Sequence, residues 1–114
     1  MCRFSFGWSV MERTKETDIQ RAICDYLALK GYFFWRQNTG GMFREGRYFS
    51  LPKYSMRGIP DIILIKGGRF IGIEVKNKTG KLSPHQADFA RECVKNGGDY
   101  IVAKSIDDVQ AAGL

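Results

Sequence analysis

Residues 58–76 read GIPDIILIKGGRFIGIEVK. Within this stretch, two runs rich in β-branched residues, Asp61–Lys66 and Arg69–Lys76, flank the dipeptide Gly67-Gly68, which is typical of a two-residue hairpin turn. Apolar residues occupy both alternating sets of positions in these runs, which indicates strands buried on both faces. The stretch therefore predicts the centre of a sheet that is covered on both sides by helices.

The turn also determines which residues face each other across the predicted hairpin. With Gly67 and Gly68 as the loop, Asp61 lies opposite Glu74, at a Cβ separation of about 4.5–5.5 Å. Lys76, two residues beyond Glu74, points to the same face. Two facing carboxylates destabilise a sheet unless a cation lies between them. This end of the hairpin therefore predicts a site for Mg²⁺ or Mn²⁺, where the ion would polarise a phosphodiester and activate a water.

A purely structural interpretation of the same residues stays open. Glu74 and Lys76 are also compatible with a same-face ion pair on an exposed strand end, and Asp61 after Pro60 with a turn former. The register favours the metal site, because a slip of one residue would put the two carboxylates on opposite faces.

Periodicity and end signals predict the elements around the hairpin. In chain order they are a helix at about Lys15–Lys30 capped by Thr14, an aromatic strand at Tyr32–Gln37, a basic irregular stretch over 38–57 with a short strand near Arg47–Ser50, the hairpin, a helix from Ser83 to about Asn96 with a Ser83/Gln86 capping box, a strand at Tyr100–Ala103 and a short helix from Ser105. The predicted fold class is therefore α/β, with a mixed central sheet flanked by helices on both sides.

Composition is that of an ordinary globular domain with a basic surface. The chain has 114 residues, of which 44% are hydrophobic and 26% charged, so extensive disorder is not expected. The net charge of +6 favours a polyanionic partner, nucleic acid first.

Several classes of protein are disfavoured by the same counts. The aliphatic run at 62–65 is too short to cross a bilayer. Three widely spaced cysteines without a Cys-x-x-Cys pair argue against a disulfide framework and a zinc site, and favour a reducing cytoplasm. A single histidine, His85, excludes a multi-histidine metal site.

Five pieces of the sequence, in order, resemble the VRR-NUC (virus-type replication-repair nuclease) domain of the PD-(D/E)XK nuclease superfamily. They are Glu16 and Gln20 on the first helix, Gly58-Ile59-Pro60-Asp61, Ile73-Glu74-Val75-Lys76, and Leu82-Ser83-Pro84-His85-Gln86. The resemblance covers about residues 14–110 and implies a restriction-endonuclease-like fold. We expect a nuclease domain over residues 14–114, preceded by an arm over residues 1–13 that is either disordered or in contact with a partner subunit.

The resemblance implies a Mg²⁺- or Mn²⁺-dependent endodeoxyribonuclease. It assigns the metal ligands to Asp61, Glu74, the backbone carbonyl of Val75, and Glu16 directly or through water. It assigns the remaining catalytic roles to Lys76, which would orient the nucleophilic water, and to Gln86, which would complete the site.

The substrate expected from the resemblance is branched DNA. Stand-alone members resemble Holliday junction resolvases, which implies a symmetric homodimer acting on four-way junctions in DNA repair or recombination. Candidate phosphate contacts are Arg44, Arg47, Lys53, Arg57, Lys78 and Lys81. A monomeric nuclease for flaps or nicked duplex and a catalytically idle DNA-binding module of the same fold are the alternatives. The expected compartment is the cytoplasm of a bacterial cell or of a virus-infected host.

Overall fold

The three helices and the four longer strands that the structure describes follow one another along the chain in the order that the sequence predicts. The computed structural model describes residues 15–37, 43–44, 47–48 and 52–114, and the pairs 43–44 and 47–48 are described for the backbone only. The elements are α1 (Glu16–Leu29), β1 (Phe33–Arg36), β2 (Phe43–Arg44), β3 (Arg47–Tyr48), β4 (Ile62–Lys66), β5 (Arg69–Val75), α2 (Pro84–Lys95), β6 (Asp99–Ala103) and α3 (Ile106–Ala111).

Four of the strands form a mixed sheet in the order β1-β4-β5-β6. The β1/β4 and β4/β5 pairs are antiparallel, and β5 and β6 are parallel. Lys66 pairs with Arg69 and Ile62 with Ile73, which confirms the register predicted from the turn. Gly67 and Gly68 both have positive φ, as a type I′ hairpin turn requires.

The main core lies between one face of this sheet and the helices α1 and α3. Ile23 and Leu27 of α1 and Val109 of α3 are fully buried in one cluster with the β4 and β5 side chains Ile62 and Ile73. Burial of each such side chain contributes about 1.5–3 kcal/mol. The aliphatic positions of the hairpin therefore fix the two strands that lead to the acidic residues against α1 and α3.

The opposite face of the sheet is covered by α2, but only in part. Phe89 of α2 packs against Phe70 at 6.4 Å and Tyr100 at 6.2 Å between ring centroids. Phe33 and Trp35 on the edge strand β1 remain exposed. Helices therefore lie on both faces of the sheet, as predicted, and on this face α2, the one helix there among the described residues, packs over β5 and β6.

Several predicted boundaries differ by a residue or two from those observed. The first helix begins at Glu16, and its N-cap is Lys15, without a side-chain hydrogen bond. Thr14 and the arm over residues 1–13 lie outside the described residues. The short strand expected near Arg47–Ser50 is β3, which pairs with β2 as a separate two-stranded sheet.

The structure also bears on membrane insertion. Among the residues that are described, no helix combines the length and the apolar character needed to cross a membrane.

Candidate active site

Asp61 and Glu74 lie together at the end of the β4/β5 hairpin that is remote from its turn. Asp61 immediately precedes β4, and its Oδ2 accepts a hydrogen bond of 2.8 Å from the backbone N–H of Val75. Glu74 is in β5 and only 3% exposed. The observed register, continued by one pair, sets these residues opposite each other, so the structure brings together the two carboxylates that the turn predicted.

The environment of Glu74 favours its protonated form. Burial, followed by the negative charge of Asp61 and a hydrogen bond to its carboxylate, raises the pKa of Glu74 from 4.5 to about 8, against a lowering by Lys76. Without a cation at this point, the Glu74 carboxyl is largely protonated at neutral pH.

Lys76 and Gln86 both approach the same oxygen of Glu74. Nε2 of Gln86 donates to Oε2 of Glu74 at 2.9 Å, and Nζ of Lys76 lies 3.9 Å from that oxygen. The other end of the Gln86 amide closes the capping box, because Oε1 accepts from the N–H of Ser83 at 2.8 Å. The start of α2 therefore fixes the orientation of Gln86 against the acidic pair.

Glu16 approaches this cluster from the first turn of α1. Its Oε2 accepts a hydrogen bond of 3.3 Å from the N–H of Asn77, just after β5. Its negative charge is a further, smaller cause of the raised pKa of Glu74. The structure thus places Glu16 at the rim of the site, tied to the loop that follows Lys76.

Tyr100 belongs to the site, and sequence reasoning missed it. In β6 it pairs with Gly72, and its hydroxyl is buried without a hydrogen-bond partner of standard geometry among the described residues. Burial and the negative charges of Glu74 and Asp61 raise the pKa of this hydroxyl. Tyr100 reaches the site because β6 pairs in parallel with β5. Residue patterns alone do not specify that pairing, so no sequence signal points to Tyr100.

The loop Gly58-Ile59-Pro60 holds Asp61 in place by close packing. Gly58 has a φ of +77°, and a Cβ there would lie 2.3 Å from the carbonyl oxygen of His85 in the first turn of α2. Pro60 is buried over Gly72 of β5, where a Cβ would lie 2.5 Å from its ring. These contacts explain why glycine and proline precede the acidic residue.

Replacement of Gly58 by alanine is expected to lower the free energy of unfolding by about 2–4 kcal/mol, from the positive φ and the overlap with α2. Gly31→Ala is the matched control, since Gly31 has a φ of +79° with nothing within 4 Å of its Cβ position; it should cost only about 1–2 kcal/mol. Urea unfolding of both variants checks this difference. Equal losses would show that the approach to α2 is not tight.

The donor set fits a hard divalent cation. Oε1 of Glu74 is buried and has no hydrogen-bond partner among the described residues, and neither has Oε1 of Gln20, one helical turn after Glu16. Across the described parts of the chain, no three His, Cys, Asp or Glu side chains form a ready-made cage. Mg²⁺ is commonly held by one or two carboxylates with water in its remaining positions. Asp61 and Glu74 therefore offer the type and number of ligands that this ion uses.

The raised pKa of Glu74 predicts a pH-dependent stability in the presence of a chelator. Folded protein holds a proton that the unfolded chain releases between pH 4.5 and about 8. The stabilisation is thus complete below pH 4.5 and is lost as the pH rises to 8, by at most about 1.4 kcal/mol per pH unit. Urea unfolding in EDTA from pH 5 to 8 should show this loss in the parent chain and not in Glu74→Gln. Parallel pH profiles of the two chains would contradict the raised pKa of Glu74.

The basic residues predicted to contact phosphate are only partly described. Lys53, Arg57, Lys78 and Lys81 are exposed. Lys53 lies with Nζ 5.3 Å from the centre of the Tyr54 ring. The backbones of Arg44 and Arg47 pair between β2 and β3, and their side chains lie outside the described residues. Four of the six predicted cations are therefore exposed at the surface.

A mixed α/β sheet with Pro-Asp before one strand and Glu-x-Lys at the end of its antiparallel neighbour defines a nuclease domain of the PD-(D/E)XK type. The family model described as "VRR-NUC domain" matches residues 14–107. The chain belongs to the VRR-NUC family, as its motifs predicted. This membership makes it a nuclease domain with DNA as its substrate.

Comparison with solved structures agrees with this fold. A structure described as "VRR_NUC domain" aligns with a TM-score of 0.60 and 25% identity, over 86% of this chain and 92% of the other. Another, described as "VRR_NUC domain protein", aligns with a TM-score of 0.56 and 20% identity over 87% and 84%, and shows likeness of fold. A search of curated proteins found no match.

Proposed function

We propose that this chain is a Mg²⁺- or Mn²⁺-dependent endonuclease that cleaves branched DNA, chiefly four-way junctions, as a symmetric homodimer. The observation that carries the proposal is the pair Asp61 and Glu74, whose carboxyl groups adjoin at a sheet end beside Lys76. A buried carboxyl such as that of Glu74, with its pKa raised beside the charge of Asp61, is costly for folding. A site for a divalent cation gives this arrangement a use.

In this proposal each residue at the hairpin end has a separate task. Asp61 and Glu74 hold the cation, with the backbone carbonyl of Val75 and, directly or through water, Glu16. When bound, the ion supplies Lewis-acid stabilisation of the phosphate charge. Lys76 orients the attacking water and stabilises negative charge as the phosphodiester bond breaks.

Gln86 has a positioning task in the same account. Its Nε2 donates to Oε2 of Glu74, and Oε1 of Glu74 has no hydrogen-bond partner among the residues that the structure describes. The carboxylate is thereby held with one oxygen occupied and the other available to an ion. The capping box with Ser83 prevents the amide from rotating away.

The proposal assigns DNA binding to the basic surface. The net charge of +6 and the exposed Lys53, Arg57, Lys78 and Lys81 support phosphate contacts, to which the proposal adds Arg44 and Arg47. Doubling this surface in a two-fold dimer would match the approximate two-fold symmetry of a four-way junction, with one site for each of two equivalent strands. Binding through phosphates should weaken steeply with salt.

The substrate and assembly are tested by cleavage of labelled four-way junction, flap, nicked and linear duplex, together with light scattering at the working concentration. Paired symmetric incisions in the junction by a particle of twice the chain mass are expected. Cleavage confined to flaps or nicked duplex by a monomer would replace the junction assignment. Binding without cleavage of any substrate would leave a DNA-binding module.

A further inference from the structure

An uncovered aromatic patch lies on the sheet face that carries the acidic pair. It consists of Phe33 and Trp35 on the edge strand β1 and Ile65 on β4, which are 68%, 39% and 37% exposed. Aromatic side chains on a sheet face are ordinarily buried, because burial of one such side chain removes about 150–250 Å² of surface from water. We call these three residues the β1 aromatic patch.

The register connects this patch to the candidate active site. Trp35 pairs with Ile63, and Ile63 with Gly72. Two residues after Trp35, and directly after the end of β1, the N–H of Gln37 donates to the carbonyl oxygen of Asp61 at 2.7 Å. Since side chains at alternate positions share a face, Trp35 and Gln37 point to the side that carries Glu74. Two strand spacings and two residues separate Trp35 from Glu74, a Cα distance of about 12 Å.

The rings of the patch are held in place. Nε1 of Trp35 donates to Oε1 of Gln37 at 2.9 Å, which ties the indole to the residue bonded to Asp61. The ring centroids of Phe33 and Trp35 are 5.7 Å apart, and the angle between the two ring planes is 57°. The patch therefore offers pre-oriented aromatic surface beside the acidic pair.

Size and charge indicate what this surface accepts. The exposed parts of the three side chains amount to on the order of 300 Å², well below the roughly 800 Å² per partner of a stable protein interface. A surface of that size suits one or two nucleobases. The positive net charge of the chain favours association with DNA, and Trp35 lies about 12 Å from Glu74 on the same face of the sheet.

We propose that Trp35, supported by Phe33, stacks on an unpaired nucleobase of the DNA strand within a few nucleotides of the phosphate that is cleaved. This inference rests on the proposed function and adds a structural requirement to the substrate. A paired base is already stacked and hidden inside the duplex, so the contact selects DNA with unpaired or splayed bases next to the cut.

The test uses the full chain carrying Trp8→Phe and Asp61→Asn, which leaves Trp35 as the sole tryptophan and is expected to block cleavage. Flap DNA with unpaired bases and linear duplex of equal length are the two probes. Trp35→Ala should weaken flap binding about 5- to 150-fold and duplex binding less than about 2-fold. In the chain that carries only Trp8→Phe and Asp61→Asn, flap DNA should quench the fluorescence of Trp35 and linear duplex should not.

Three further variants distinguish stacking from other causes of weaker binding. Trp35→Phe retains a ring and should recover part of the lost affinity, and Phe33→Ala should give a smaller selective loss. Leu29→Ala removes a side chain that is 87% exposed at the far end of α1 and should change neither affinity. Melting temperatures of all variants confirm that they are folded.

Three results would overturn the inference: equal losses on flap and duplex, no loss on either, or a fall in oligomeric mass in Trp35→Ala that accounts for the weaker binding. The last result would assign the patch to contacts between copies of the chain. A failure of the proposed function is separately visible, because the chain with Asp61 intact would then cleave neither a four-way junction nor these two probes, while the selective stacking loss persisted.

Discussion

Asp61→Asn is expected to lower the rate of DNA cleavage by about 10³-fold or more while leaving the chain folded and able to bind DNA. The amide oxygen of asparagine can still accept the N–H of Val75, so the local backbone contact is retained. The negative charge that would hold the cation is lost, and losses of one charged or donor group at a reacting phosphate or carbonyl commonly reach 10²–10³.

The same variant is also expected to affect stability, and here the effect is favourable or neutral. Removing the charge of Asp61 removes a cause of the raised pKa of Glu74. In EDTA, Asp61→Asn should therefore be as stable as the parent chain or more stable. Single-turnover cleavage, DNA affinity and melting temperature measured together check both expectations.

Asp25→Asn is the matched control for this variant, since Asp25 is exposed in the C-terminal half of α1. It should leave cleavage unchanged. Equal loss of cleavage and DNA affinity in Asp61→Asn would contradict the separation between the acidic pair and the phosphate-binding surface.

Lys76→Met is expected to lower the cleavage rate about 10²- to 10³-fold with little loss of stability. Methionine preserves most of the buried aliphatic stem and removes the ammonium group that lies 3.9 Å from Glu74. Because Lys76 lowers the pKa of Glu74, its loss should also favour the protonated form of that residue. Single-turnover rates at saturating DNA separate this effect from weaker binding.

Lys66→Met is the control at the opposite end of the hairpin. Its Nζ lies 5.3 Å from the Tyr32 ring centre, an exposed contact of about 0.5–1 kcal/mol. Cleavage should stay within about 2-fold of the parent rate. If the two lysine variants behaved alike, the loss in Lys76→Met would be one of general positive charge rather than of a catalytic group.

The hairpin and its acidic pair were predictable from local chemistry. Gly67-Gly68 sets the turn type, the turn sets the register, and the register sets Asp61 against Glu74. The capping box likewise predicts where α2 begins. Only half of the role of Gln86 follows from it, since the contact with Glu74 requires α2 to pack against β5.

Long-range placement explains what the sequence did not reveal. The aromatic composition around Trp35 indicates a strand, but what such residues contribute depends on the neighbours they pack against, so composition alone does not tell an edge strand from a central one. The contribution of Tyr100 depends on the parallel alignment of β6 with β5, a pairing between segments joined through α2. Neither arrangement is encoded in a local pattern, and both determine which groups surround the acidic pair.

The most direct test of a cation-dependent nuclease site at Asp61, Glu74 and Lys76 is cleavage of a labelled four-way junction by the parent chain and by Lys76→Ala. Reactions contain Mg²⁺, Mn²⁺ or EDTA. We predict cleavage by the parent chain with either cation and no cleavage in EDTA. The cleavage rate of the variant should be at least about 10²-fold lower. Cleavage that persists in EDTA, or that is equal in the parent chain and the variant, would contradict the assignment.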